Sequence, residues 1–217
     1  MQLSILLNKL QGFSSTSFMS IKRLFDVLLS LVGLIFLTPV FIIISMLIAS
    51  DSRGDVFFRQ QRVGKNGKNF LIWKFRTMKL NSEQHGLLSV GSRDQRITRI
   101  GYYLRKYKVD ELPQLINVFM GEMSIVGPRP EVRKFVDLYT PEQIQVLSVK
   151  PGITDYASIK YSNENELLSE SKNPEEFYIS HVMPAKLALN LKYIQERNLA
   201  TDVKIIFNTI FRILGIR

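Results

Sequence analysis

The feature that most constrains this 217-residue sequence is an uncharged run of 24 residues, Val27–Ser50 (VLLSLVGLIFLTPVFIIISMLIAS). A helix of about 20 apolar residues is long enough to cross the hydrocarbon core of a bilayer. A secretory signal peptide is a poor fit, because the run is too long and no small-x-small cleavage site follows it. The chain is therefore predicted to associate with a membrane through this segment.

The middle and the flanks of this run argue against a simple crossing. Pro39 removes a backbone donor and is expected to break or kink the helix, and Thr38 can satisfy backbone groups that the break frees. Basic flanks prefer the cytoplasmic side of a membrane, and both flanks here are basic. We therefore predict a re-entrant helix-break-helix; an ordinary kinked spanning helix and a buried core helix are the alternatives. The flanking cations are Lys22, Arg23, Arg53, Arg59, Arg62 and Lys65.

The positive charge is concentrated in the first half of the chain. The net charge is +10, with 17 Lys/Arg against 5 Asp/Glu up to Lys108 and 12 against 14 after it. The first half is therefore expected to face an anionic partner: nucleic acid, lipid headgroups or a phosphorylated substrate. The absence of cysteine excludes disulfides and thiolate metal sites, and two histidines are too few for a His-rich zinc site.

Periodicity and turn signals predict an α+β fold that is mostly helical. We expect an N-terminal lead-in over 1–19, a re-entrant membrane helix over 20–52 and a compact cytoplasmic domain over 53–217. Two β-prone runs around the turn GKNGK predict a β-hairpin within Val56–Met78. Residues 81–95 are expected to form a loop, and KPGIT (150–154) a turn. Helices are expected over 96–109, 113–120, 175–196 and 201–215, with two short ones separated at Thr140-Pro141.

The C-terminal segment Val203–Arg217 places apolar residues at helical spacing beside basic ones. That composition suits a helix lying in the membrane interface, and a helix that caps the core is an equal alternative. The exposed apolar surfaces can join two protomers in a homodimer as well as contact membrane lipids. The apolar positions are Ile206, Ile210, Phe211 and Leu214, and the basic ones are Lys204, Arg212 and Arg217.

Two adjacent carboxylates, Asp110 and Glu111, follow six cations within residues 93–108. Pro113 suits the start of a helix, so Asp110 can be explained as a helix cap. The cations favour a second explanation, in which the acids meet a phosphate. Arg129 is held between two prolines, and its planar guanidinium matches phosphate oxygens. One acid can then be a nucleophile or metal ligand, and the other a base or an orienting group.

A carboxylate that approaches a pyrophosphate is repelled by it, and Mg²⁺ would relieve that repulsion. We therefore expect Mg²⁺ to act together with the acid pair. The hairpin segment WKFRTM (73–78) contributes Lys74 and Arg76 on one face and Thr77 on the other, if it is a strand. A solvated edge strand is the alternative for this segment.

Five motifs in order resemble those of one family. The apolar run with its central proline follows KRLFD (22–26), and RVGKNGKNFLIWKFRTM, VDELPQLINVFMGEMSIVGPRPE and KPGIT come after it. Together they resemble the monotopic phosphoglycosyl transferases, the bacterial sugar transferases that start glycan assembly on a polyprenol carrier. The resemblance covers about residues 20–217 and is to the small members of the family.

The resemblance implies a reaction and a location. Such an enzyme moves a sugar-1-phosphate from a UDP-sugar to polyprenyl (undecaprenyl) phosphate and releases UMP, as the first membrane step of a glycan pathway. It acts at the cytoplasmic face of the bacterial inner membrane. Asp110 would be the nucleophile that carries the phospho-sugar and contacts Mg²⁺, and Glu111 its dyad partner. Residues 53–217 would form the catalytic domain.

The resemblance also implies substrate contacts. Arg105 and Arg129 would bind phosphate and nucleotide sugar, and Lys74, Arg76 and Thr77 match a substrate-binding element more loosely. Many members follow PGIT with GxAQV where this chain has DYASIKY, so Asp155 is expected on the sugar or nucleotide side.

The non-catalytic alternatives are a membrane-tethered nucleic-acid-binding protein and a scaffold. No nucleic acid partner is expected, because the cations alternate with turns and an acid pair instead of lining a recognition helix.

Overall fold

The computed structural model describes residues 2–80, 82, 91 and 94–216, with side chains from residue 18 onward. The predicted loop 81–95 lies mostly outside the described residues. The β-strands are β1 (Phe57–Val63), β2 (Asn69–Phe75), β3 (Ser124–Val126) and β4 (Gly152–Thr154). The α-helices are α1 (Gln2–Asp51), α2 (Arg99–Lys106), α3 (Gln114–Met120), α4 (Arg133–Val136), α5 (Tyr156–Lys160), α6 (Glu164–Ser169), α7 (Pro174–Phe177), α8 (Met183–Glu196) and α9 (Leu199–Leu214). The prediction of a mostly helical protein with a small β-hairpin is confirmed.

The helix α1 is continuous from Gln2 to Asp51 and runs through Pro39. A separate lead-in over 1–19 and a break at Pro39 were both expected, and the helix shows neither. Thr38 Oγ1 donates to the carbonyl of Leu34 at 2.7 Å, inside the turn that precedes the proline. Pro39 and Ile35 both lie on an exposed side of the helix. Pro39 has no N–H group to donate to the carbonyl of Ile35. Because this carbonyl lies on the exposed side, it can tilt outward while the helix continues.

From Lys22 to Asp51, one face of α1 packs on the rest of the protein. Just before the apolar run, Asp26 accepts hydrogen bonds from Ser124 Oγ at 3.1 Å and Ile125 N at 3.0 Å. At its end, Asp51 accepts from Ile100 N at 2.9 Å. Both ends of the apolar run are thus fixed to one set of elements. The opposite face is exposed and apolar, with members that include Leu28, Leu31, Val32, Ile35, Phe36, Ile42, Ile43 and Met46.

The strands form two small sheets. β1 and β2 pair antiparallel as the sequence predicts, with Phe57 opposite Phe75 and Val63 opposite Asn69. β3 and β4 pair parallel, so the segment predicted as a KPGIT turn includes a strand. A β-carbon on Gly152 would lie 2.1 Å from the backbone N of Gly127. Only glycine permits this approach, which places the Gly-Pro-Arg-Pro turn directly on the start of β4.

The C-terminal helices close the core. α7, a π-helical turn over Tyr178–Val182 and α8 follow one another without a gap, as expected for 175–196. In α9, Asp202 and Ile205 are buried, while Phe207, Phe211 and Leu214 are exposed. This helix therefore caps the core with one face and leaves an apolar face uncovered. Asp202 forms an ion pair with Lys22, which links α9 to the start of the apolar run of α1.

Candidate active site

A single turn of 3₁₀ helix, Val109–Glu111, positions the acid pair between α2 and α3. Lys108 enters the turn in the left-handed conformation, with φ 55°. The amide of Leu112 donates to the carbonyl of Val109 at 3.2 Å, and Leu112 is helical. A residue that precedes proline is usually extended. Here the turn closure overrides that bias, so both carboxylates are folded into the protein, with Asp110 7% and Glu111 8% exposed.

Glu111 is the paired member of the dyad. Arg129 donates to it from both terminal nitrogens, with Nη1 2.9 Å from Oε2, and Lys74 Nζ lies 2.9 Å from Oε1. Burial alone would raise the pKa of Glu111, but Arg129 and Lys74 hold that pKa well below its usual range. Glu111 is therefore ionised at neutral pH and fixes the orientation of the Arg129 guanidinium.

Asp110 is the unpaired member. Its Oδ1 is buried and has no hydrogen-bond partner among the described residues. Burial, followed by the neighbouring charge of Glu111, raises the pKa of Asp110 to about 6. No side-chain capping hydrogen bond is present at this turn or at the start of α3, so the helix-cap explanation is wrong. An unpaired, buried carboxylate oxygen beside cations is the arrangement expected of a reactive group.

Arg105 and Thr77 lie together beside the dyad. Arg105 Nε donates to Thr77 Oγ1 at 2.9 Å, and Arg105 is among the cations whose charge acts on the Asp110 carboxylate. A β-carbon on Gly101 would lie 2.1 Å from the carbonyl oxygen of Thr77. α2 therefore packs directly against the chain at Thr77, and this close packing brings Arg105 to the site.

The guanidinium of Arg76 is directed away from the acid pair and towards the segment that follows α1. Its guanidinium donates to the carbonyls of Ser52 at 2.8 Å and Gly54 at 3.3 Å, and also to that of Arg53. These carbonyls follow the C-terminal end of α1, where cations are favourable. The described contacts thus give Arg76 an anchoring position between the hairpin and α1, and its predicted role in substrate binding stays a prediction.

The carboxylate of Asp155 accepts a hydrogen bond from the backbone of Arg129, a contact that the sequence did not suggest. This fully buried carboxylate accepts from the backbone N of Arg129 at 3.2 Å and from Ser158 N at 2.6 Å. It caps α5 and fixes the Pro128–Pro130 turn at the same time. The cap alone was recognisable, since an Asp directly before a helix is a start signal. The contact with Arg129 joins residues that are 26 positions apart, so no local sequence pattern indicates it.

Behind Arg129 lies a second group of buried charges, centred on Glu131. Lys186 Nζ lies 3.8 Å and Arg62 Nη1 3.5 Å from this carboxylate, and the hydroxyl of Tyr178 donates to it. Lys186 also pairs with Glu164 at 2.8 Å. Burial would raise the pKa of Glu131, but Lys186 and Arg62 hold the pKa below its usual value. This ionic group supports the turn that presents Arg129.

The residues present fit one hard cation at Asp110. No group of three or more His, Asp or Glu side chains suited to a metal occurs in the described part of the chain. Asp110 nevertheless offers an unused carboxylate oxygen, and Mg²⁺ is commonly held by one or two carboxylates together with substrate phosphates and water. The donor set therefore suits Mg²⁺ arriving with a phosphorylated substrate.

Comparison with known proteins identifies the family of this chain. The family described as bacterial sugar transferase matches residues 17–215, which include α1, the dyad and the Pro-Arg-Pro turn. The chain belongs to this family.

Three relatives show how far the similarity extends. The UDP-N-acetylgalactosamine-undecaprenyl-phosphate N-acetylgalactosaminephosphotransferase of Aeromonas hydrophila is 38% identical over 197 residues, which are 89% of this chain and 44% of the relative. The UDP-glucose:undecaprenyl-phosphate glucose-1-phosphate transferase of Escherichia coli (strain K12) is 36% identical, over 88% of this chain and 40% of the relative. The exopolysaccharide production protein PSS of Rhizobium leguminosarum bv. phaseoli is 37% identical, over 88% and 93%. The chain thus spans less than half the length of the first two.

Proposed function

We propose that this protein transfers a sugar-1-phosphate from a UDP-sugar to undecaprenyl phosphate, with Asp110 as the nucleophile. The observation that carries the proposal is the buried, unpartnered Oδ1 of Asp110 beside Lys74, Arg105 and the Glu111–Arg129 pair. The names of the two transferase relatives give this donor and acceptor chemistry for those proteins.

In the first step, a carboxylate oxygen of Asp110 attacks the β-phosphorus of the UDP-sugar. A bond forms between that oxygen and phosphorus, and the bond from phosphorus to the bridging oxygen breaks. The bridging oxygen leaves with its electron pair on UMP. Asp110 then carries the sugar phosphate as an acyl phosphate, which divides a difficult transfer into two displacements.

In the second step, an oxygen of undecaprenyl phosphate attacks the same phosphorus. The acyl phosphate bond breaks, and the electron pair returns to the Asp110 carboxylate. The product is a sugar linked to the lipid through a diphosphate, and the enzyme is regenerated without net proton uptake. At pH 7 Asp110 is mostly ionised, because its pKa of about 6 lies below that pH.

The surrounding side chains divide the remaining work. Arg129, fixed by Glu111 and Asp155, presents its guanidinium to phosphate oxygens, and Lys74 and Arg105 stabilise the charge that develops at phosphorus. Glu111 is an orienting group, because its carboxylate is already paired with Lys74 and Arg129. Mg²⁺, held at Asp110 and by the diphosphate, would neutralise the charge that otherwise repels the nucleophile.

We further propose that α1 enters the membrane and stays on the cytoplasmic leaflet. Asp26 and Asp51 bracket the apolar run, and each is hydrogen-bonded to the same globular part of the chain. A spanning helix would place these two anchors on opposite sides. Because the sequence contains no cysteine, Met19→Cys and Asp55→Cys can be labelled singly in intact spheroplasts and in inverted vesicles. Labelling of both positions from the cytoplasmic side only is expected, and labelling from opposite sides would refute this topology.

The function is tested by UMP release from the detergent-solubilised protein. A panel of UDP-sugars is offered with undecaprenyl phosphate, and wild type is compared with Asp110→Asn and with the surface variant Asp137→Asn. We expect UMP release in wild type and in the surface control, and none with Asp110→Asn. Full turnover by Asp110→Asn would exclude the assigned nucleophile. Salt-sensitive retention of DNA without UMP release would instead favour a nucleic-acid-binding protein.

A further inference from the structure

The face of α8 behind Arg129 carries a buried acceptor without a donor. Asn190 is 4% exposed, and its Oδ1 has no hydrogen-bond partner among the described residues. Burying such a group without a partner is costly, so native proteins seldom tolerate it without use. Asn190 lies one helical turn after Lys186, on the same face of the helix.

Asn190 and Arg129 line the same small cavity. Its volume, about 10 Å³ for the centre of a water molecule, accommodates a single water-sized polar group. Arg129 therefore contacts the dyad through its guanidinium and also borders this cavity. The other lining residues are Glu131, Tyr139, Tyr178, Met183, Lys186 and Leu187.

Lys186, Glu131 and Tyr178 at the cavity already have partners of their own. Lys186 pairs with Glu164 and Glu131, and the hydroxyl of Tyr178 donates to Glu131. The carboxamide oxygen of Asn190 is thus the acceptor left over at this cavity in the described part of the chain. Its missing partner must supply an N–H or O–H group.

We propose that Asn190 is a specificity-determining residue that accepts a hydrogen bond from a neutral N–H or O–H group of the donor substrate. The proposal rests on the function proposed above, because a UDP-sugar bound at Arg129 would bring such groups next to a cavity that Arg129 also lines. The hydroxyl or amide groups of the sugar and the imide N–H of uracil share this chemistry. A site built around a hydrogen bond rejects analogues that lack the group more strongly than an apolar pocket rejects a changed shape.

The test compares Asn190→Leu with the surface variant Asp137→Asn, which lies outside the cavity lining. Asn190→Leu keeps the size of the side chain and removes the acceptor. We expect its kcat/KM for the preferred UDP-sugar to fall about tenfold, as for the loss of one hydrogen bond, with the KM for undecaprenyl phosphate unchanged. Asp137→Asn should match wild type in both constants. If Asn190→Leu does not fold, Asn190→Ala, which also removes the acceptor, serves in the same comparison.

Substrate analogues identify the source of the donor group. One arm uses a UDP-sugar methylated at uracil N3, and the other uses UDP-sugars that each lack one hydroxyl or amide. The analogue without the contacting group should lose about tenfold in kcat/KM with wild type and nothing further with Asn190→Leu.

Two results distinguish failure of the proposed subsite from failure of the proposed function. If wild type turns over but the Asn190 variant keeps the wild-type kcat/KM, or no analogue is impaired, the oxygen meets only water and the subsite is refuted. If wild type releases no UMP, the proposed function itself is refuted.

Discussion

Replacing Asp110 by asparagine is expected to raise the stability of the fold at neutral pH while it removes activity. The pKa of Asp110 is about 6 in the folded protein and 3.8 in its usual, solvated state. The folded protein therefore binds this proton more tightly than the unfolded chain does. Above pH 6 the ionised carboxylate lowers the free energy of unfolding, and below pH 3.8 the effect is absent.

The size of the effect follows from the same two pKa values. One pKa unit corresponds to about 1.36 kcal/mol, so the rise from 3.8 to about 6 is equivalent to about 3 kcal/mol. For a chain of this length, about 1 kcal/mol shifts Tm by about 2–4 °C. Asp110→Asn should thus melt about 6–12 °C above wild type at pH 7.5, as measured by differential scanning fluorimetry in detergent.

Glu111→Gln is the matched control, because it removes the neighbouring charge with the same change of chemistry. Glu111 has a lowered pKa and binds Arg129 and Lys74, so its loss should lower Tm at pH 7.5, by the equivalent of about 3–5 kcal/mol. The gain from Asp110→Asn should disappear as the pH falls from 6 towards 4. A Tm for Asp110→Asn at or below wild type at pH 7.5 would refute the account of a desolvated, unpaired carboxylate.

Three further predictions concern the same site. The kcat/KM for the UDP-sugar should rise with pH up to about 6 as Asp110 ionises and then level off; a profile without an inflection near 6 would contradict the raised pKa. Arg129→Lys should lower kcat/KM at least about 100-fold in UMP release, because lysine cannot pair with Glu111 through two nitrogens; near-normal turnover would contradict its role. Gly101→Ala should destabilise the protein by about 1–3 kcal/mol in thermal melts, since its β-carbon meets the carbonyl of Thr77; an unchanged Tm would show that the two segments separate easily.

The locally encoded features of the fold were predictable. The GKNGK turn between β-prone runs identified the hairpin, and helical spacing identified the two C-terminal helices. Charge and backbone restriction singled out Asp110, Glu111 and Arg129, and the structure brings these three together with Lys74. In each case the signal lies in one continuous stretch of sequence, where propensity and turn chemistry act directly.

What the sequence did not reveal depends on contacts between distant segments. The three-residue strands β3 and β4 are too short to show alternation, and they exist because Gly127 and Gly152 permit close packing. Arg76 binds the carbonyls that follow α1, and this contact depends on where α1 ends. The contact of Asp155 with Arg129 depends on where the Pro-Arg-Pro turn lies. The continuity of α1 through Pro39 depends on which side of the helix faces outward.

The central claim is tested most directly by mass analysis of the protein after incubation with its UDP-sugar and Mg²⁺ in the absence of undecaprenyl phosphate. About one UMP should be released per enzyme molecule, and the peptide that contains Asp110 should gain the mass of one sugar phosphate. The adduct should vanish when undecaprenyl phosphate is added. UMP release that requires undecaprenyl phosphate, with no adduct on that peptide, would show direct transfer and contradict the account.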